Sequence, residues 1–139
     1  PQMTISHDLP IVIMAHGTSA TITMTADKYA ESFYQAGIAV LLYDHRNFGE
    51  SDGEPRQEIN PWVQSRGYLD AIKFVSKMAG IDPKRIALWG DSYTGGQVVV
   101  VAAIEQQVKV VVAQIPVFGS EPTKIEPNSE NLLHSKKRF

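Results

Sequence analysis

A serine among small residues, Gly90-Asp91-Ser92-Tyr93-Thr94-Gly95-Gly96, follows the apolar run Arg85–Trp89 and leads into a helix-compatible segment. A serine hydroxyl is a weak nucleophile until a sharp strand-to-helix turn projects it to where a base can reach it. Small neighbours let the chain pass closely at such a turn. The N-terminus of the next helix then aims free N–H groups at the place where negative charge would develop. The chemistry on offer is acyl transfer through Ser92. The plainer alternative is a serine that caps its helix through a bond from a backbone N–H.

A second stretch, His16-Gly17-Thr18-Ser19, directly follows the apolar run Pro10–Ala15. In a doubly wound sheet, ligands sit at the carboxyl edge where strand order reverses. If the first strand lies beside the third, the Gly17-Thr18 loop stands next to Ser92. The backbone N–H groups of Thr18 and Tyr93 would then form an oxyanion hole. The His16 side chain is read as shaping the turn.

The elements needed to place these loops are legible. Pro10–Ala15, Ile38–Tyr43 and Arg85–Trp89 are near-continuous apolar runs, as expected of strands covered on both faces. Val108–Ile115 is a fourth, Val-rich run. Thr25–Ala36 carries Tyr29, Phe33 and Ala36 on one helical stripe and stops at Gly37. A second helix opens with Asn60 as N-cap and Pro61 at its first position, carries Tyr68, Ala71, Ile72, Val75 and Met78 at helical spacing, and stops at Gly80. Tyr93–Gln107 would suit a strand around Val98–Val101, but its length and the need to cross back predict a buried helix. Alternating strands and helices imply an α/β fold, a parallel sheet with helices on both faces.

The strings PIVIMAHGTS, AVLLYDHRNFGESDGEPR and GIDPKRIALWGDSYTGG, in that order, resemble the core of an α/β-hydrolase. They are most similar to bacterial serine hydrolases related to dienelactone hydrolases and to peptidases acting on X-Pro bonds. The resemblance covers about residues 10–118. It implies a three-layer sandwich around a short parallel sheet of about four strands in the order 2-1-3-4. It implies Ser92 as nucleophile on a nucleophile elbow, with Thr18 and Tyr93 as oxyanion donors, and an esterase-like enzyme acting on a small ester, amide or lactone without a cofactor. Thr94 stands where the family has glycine, and Asn47 replaces the first glycine of the Asp-x-Arg-Gly-x-Gly-x-Ser loop. Asn tolerates the left-handed conformation better than most residues. Asp44, Arg46 and Ser51 are read as holding that loop by hydrogen bonds and charge, and His45 as part of the same motif.

A serine hydrolase also needs a base and an acid, in the family order serine, acid, histidine. His134 is the one histidine after Ser92, and the acids Glu121, Glu126 and Glu130 lie in the stretch 116–139. That stretch is interrupted by Pro116, Pro122 and Pro127 and is expected to run as an extended surface tail. His134 is within reach as the base, although such a tail offers few anchors for rigid placement. A catalytically silent relative with a binding or assembly role is the alternative. The chain, which begins Pro1-Gln2-Met3, is expected to be a single domain holding the central part of such a hydrolase.

Composition narrows the rest. With 139 residues, 43% hydrophobic and 20% charged, the chain is an ordinary globular domain. A net charge of −2 and a pI of about 6.1 give no reason to expect a nucleic-acid partner. The absence of cysteine removes thiolate chemistry and fits a cytoplasmic location. No run is long enough to span a membrane, and no His and carboxylate spacing suggests a metal. A nucleotide site would want a Gly-rich loop after the first strand, and His16–Ala20 holds one glycine. A small-molecule substrate is therefore expected, with self-association possible through exposed edge strands.

Overall fold

The computed structural model describes residues 8–119. Its elements are β1 (Leu9–Ala15), α1 (Ala26–Gln35), β2 (Ala39–Tyr43), α2 (Pro61–Val75), β3 (Ile81–Asp91), α3 (Tyr93–Ile104) and β4 (Val108–Gln114). All strand pairs are parallel and the order is β2-β1-β3-β4, so the expected winding is the one found. β1 and β3 are central because both their faces are apolar: Ile11–Ala15 are 3% exposed or less.

The two faces have separate cores. On one side Tyr68, Ile72 and Val75 of α2 and Val98 and Val101 of α3 pack on Ile11, Ile13, Ile86 and Leu88. On the other, Ala26, Ala30 and Phe33 of α1 pack on Val12, Met14 and Trp89. α2 begins as its sequence prescribes: the Asn60 side chain accepts from Trp62 N–H and Val63 N–H, with Pro61 at the first position.

Several boundaries differ from the expected ones. β3 starts at Ile81, not Arg85, because Ile81 pairs with Leu9 before the register shifts at Ile11. The polar Asp82 and Arg85 hide this extension, and they bond each other at 2.7 Å. α2 ends at Val75, short of Met78. α3 was expected to be buried, yet Val99, Val100 and Ile104 are 38%, 48% and 69% exposed. Among the described residues nothing covers that side.

Tyr68 does more than fill the core. Its O–H donates to Trp89 O (2.7 Å) and accepts from Ala15 N–H (3.1 Å), joining β1 and β3 just below the loops that carry Gly17 and Ser92. Tyr68→Phe leaves two buried backbone groups unsatisfied. It is expected to lower stability by about 2–3 kcal/mol in urea unfolding, with little change in the slope.

Candidate active site

Ser92 joins β3 to α3 with φ 56° and ψ −117°. Such a conformation costs a non-glycine residue about 1–3 kcal/mol. The neighbouring strand holds it in place. Ser92 N–H donates to Gln114 O (2.9 Å), and Ser92 O accepts from Val117 N–H (3.0 Å). Both backbone groups of the strained residue are thus tied to the chain leaving β4. The glycines around it permit that proximity: a Cβ on Gly90 would lie 2.5 Å from Thr94 O, and one on Gly96 would overlap Val117 O. The Ser92 side chain makes no capping bond to α3, so the capping alternative is not the arrangement seen.

The β1 loop lies where strand order places it. A Cβ on Gly17 would be 3.0 Å from Asp91 O and 3.5 Å from Ser92 Cβ. Thr18 follows it at the exposed rim. Tyr93 is the first residue of α3, where a backbone N–H has no partner within the helix. Gly17-Thr18 and Ser92-Tyr93 are therefore brought together. His134 and the acids Glu121, Glu126 and Glu130 lie outside the described residues, as does the tail beyond Gly119.

Between the two loops runs a buried relay of hydrogen bonds not expected from the sequence. Thr94 O–H donates to His16 O (2.7 Å), which commits its proton. Thr94 Oγ1 therefore accepts from His45 Nε2–H (3.2 Å). His45 N–H donates to His16 Nε2 (3.1 Å), which leaves His16 Nδ1–H to donate to Gly17 O (2.8 Å). Both ring nitrogens of His16 are bonded, whereas His45 Nδ1 has no partner; both rings are 2% exposed or less, and neither bonds Ser92. Thr94, where the family has glycine, supplies the hydroxyl linking the Ser92 helix to the His16 turn. That departure was the one legible signal of the relay.

Burial, reinforced by His16 at a ring separation of 4.7 Å, holds the His45 imidazole down at about 3; the His16 backbone beside the ring and the Asp44 carboxylate oppose this only partly. An unfolded histidine titrates near 6.5. Between these values the unfolded chain binds the extra proton, so stability falls as pH drops below about 6.5, by up to about 1.4 kcal/mol per pH unit. His45→Gln keeps an N–H donor and does not titrate. Its urea midpoint is expected to change less than the wild type's between pH 6.5 and 4.

The loop after β2 is built on Asp44, whose carboxylate accepts from Ile22 N–H (2.9 Å) and Glu50 N–H (3.1 Å) while Ser51 O–H donates to Asp44 O (2.6 Å). Asn47 adopts the expected left-handed conformation, φ 65°. Its Nδ2 donates to Pro55 O at 2.7 Å. The reading of Arg46 needs correction. Arg46 is exposed, and the guanidinium that ties the loop is that of Arg56, donating to Ser51 O and Gly49 O. Sequence distance favours Arg46, whereas the return of the loop brings Arg56 alongside those carbonyls.

A family model described as Hydrolase_4, serine aminopeptidase S33, matches residues 7–136. The chain belongs to this family of serine α/β-hydrolases. It is 41% identical over 109 residues to the thiohydrolase aneE of Aspergillus aculeatus, covering 78% of this chain and 34% of that protein. It is 37% identical over 107 residues to the quorum-quenching protein AidA of Acinetobacter baumannii, covering 77% and 35%. The α/β hydrolase GrgF from Penicillium sp. sh18 superposes with a TM-score of 0.79 at 31% identity, over 95% of this chain and 46% of that one. The chain thus spans about a third of the length of the two curated relatives. Within this hydrolase family fold, strand order alone puts the Thr18 and Ser92 loops on one edge. Among the described residues no group of three or more His, Cys, Asp and Glu side chains is placed to hold a metal, and no helix is long and apolar enough to cross a membrane.

Proposed function

We propose that Ser92 is the nucleophile of an acyl-transfer site that cleaves small esters, thioesters, amides or lactones. The strained turn at Ser92, which leaves the hydroxyl free of any capping role, carries this reading. Ser92 Oγ attacks the substrate carbonyl carbon while a base takes its proton. The carbonyl oxygen becomes an oxyanion facing the N–H groups of Thr18 and Tyr93. Collapse expels the alcohol, thiol or amine, which takes the proton back. Water then attacks the acyl-enzyme and releases the acid. Relatives named thiohydrolases favour including thioesters. His134, the one histidine after Ser92 in the chain, is our candidate for the base; the His16 and His45 rings are buried and bond elsewhere than to Ser92.

The test is intact mass after incubation with a fluorophosphonate. One adduct per chain, mapped to Ser92 and lost in His134→Ala, is expected. An adduct that survives in His134→Ala would overturn the assignment of the base. No adduct on folded protein would overturn the nucleophile and leave the silent relative as the reading.

For partners, we infer self-association through β4. Among the described residues it is an unpaired edge, with Val110 55% and Val112 37% exposed. Sedimentation velocity is expected to show a dimer that Val110→Lys dissociates.

A further inference from the structure

An oxyanion donor acts best when its N–H is held in one direction beforehand, because no rearrangement is then needed as charge develops. Thr18 N–H, the first proposed donor, follows Gly17, a residue whose backbone turns more freely than any other. In a planar trans peptide the N–H points opposite to the carbonyl of the preceding residue, and this peptide is trans. Whatever holds Gly17 O therefore sets where Thr18 N–H points. His16 Nδ1–H donates to Gly17 O at 2.8 Å, and His16 Nε2 accepts from His45 N–H at 3.1 Å, which fixes that tautomer.

The peptide on the other side of Gly17 is held as well. Its carbonyl, His16 O, accepts from Thr94 O–H at 2.7 Å. With both flanking carbonyls bonded, the rotation that glycine permits is closed off. Thr94 lies on α3 directly after Tyr93, the second proposed donor. The Ser92–Tyr93 peptide is fixed in the same manner, since Ser92 O accepts from Val117 N–H at 3.0 Å. Among the described residues neither Thr18 N–H nor Tyr93 N–H donates to another protein group. Two N–H groups with anchored carbonyls are thus tied to each other through one buried residue, Thr94, which is 1% exposed.

We propose that Thr94 is a positioning residue of the oxyanion hole: its hydroxyl clamps the Gly17 turn to the helix that carries Tyr93, and so keeps Thr18 N–H and Tyr93 N–H aimed at one point. It acts through His16 and Gly17, not on the reacting atoms. This rests on the reading of Ser92 as nucleophile with those two donors. Glycine, the family's residue at this position, has no hydroxyl to donate, so the bond to His16 O is one that this chain gains through Thr94.

The test uses a phenylethyl trifluoromethyl ketone, isotopically labelled at its carbonyl carbon, on the full chain and on Thr94→Val and Thr94→Ser. Ser92 Oγ bonds to that carbon, the C=O electron pair moves onto oxygen, and the hydroxyl proton passes to the base. The carbon resonance of the hemiketal then reports the acidity of its oxygen, which the hole sets directly. Thr94→Val is expected to raise the hemiketal pKa by about one pH unit, a roughly tenfold weaker hold on the oxyanion. Thr94→Ser keeps the hydroxyl and is expected to stay close to wild type. A merely structural threonine would lower the unfolding midpoint in Thr94→Val and leave that acidity unmoved. An unchanged hemiketal pKa in the folded variant would therefore overturn the inference while Ser92 stands as nucleophile. Should Thr94→Val not fold, Thr94→Ala carries the same comparison. No adduct on folded wild type would overturn the reading of Ser92 and, with it, this role of Thr94. Nitrogen NMR of the histidine rings in the free protein needs no chemistry: His16 is expected as the Nδ1–H form, and a proton on Nε2 instead would leave Gly17 O unheld and overturn the clamp.

Discussion

Ser92→Ala is expected to remove the phosphonate adduct completely and to lower any esterase or thioesterase rate on the order of 10³-fold or more. The fold should survive, because alanine accepts φ 56° no worse than serine and both backbone bonds, to Gln114 and from Val117, are kept. Ser92→Gly sharpens the prediction. Glycine adopts this conformation at little cost, so the variant should lose the same chemistry while gaining about 1 kcal/mol in urea unfolding. A nucleophile and a strained structural serine differ here: the second would also be stabilised by glycine but would lose no reactivity. Labelling and unfolding curves on the same three proteins decide it.

Gly90→Ala should have a large effect on stability. The added methyl would sit 2.5 Å from Thr94 O and 2.7 Å from Thr94 C, both backbone atoms in the first turn of α3. Backbone cannot rotate aside as a side chain can. The strand and helix must separate, and Thr94 anchors the relay to His16 and His45. A loss of about 4 kcal/mol or more is expected, a large part of the roughly 5–15 kcal/mol available to a domain of this size. Thermal unfolding should show a midpoint lowered by more than about 10 °C, or no cooperative transition. Gly37→Ala is the control: a Cβ there meets nothing within 4 Å, so only its positive φ is penalised.

Four apolar runs, a helix stopping at Gly37 and an Asn-Pro helix start already determined the architecture of this chain. Strands buried on both faces read as continuous Val, Ile and Leu, and such strands join only through crossover helices. The Ser92 turn and the Thr18 loop were legible for the same reason, since strand order places loops after β1 and β3 on one edge. Tertiary structure alone decided how those loops are fastened. Thr94, His16 and His45 lie in three distant segments, and their hydroxyl and ring nitrogens became partners only once β1, β2 and β3 were side by side. The same holds for Arg56 in place of Arg46, and for the hydroxyl of Tyr68 between Ala15 and Trp89. Hydrophobic period is written along the chain and survives reading one residue at a time. A hydrogen bond requires two groups to meet within about 3 Å, and that is settled only by the packed fold.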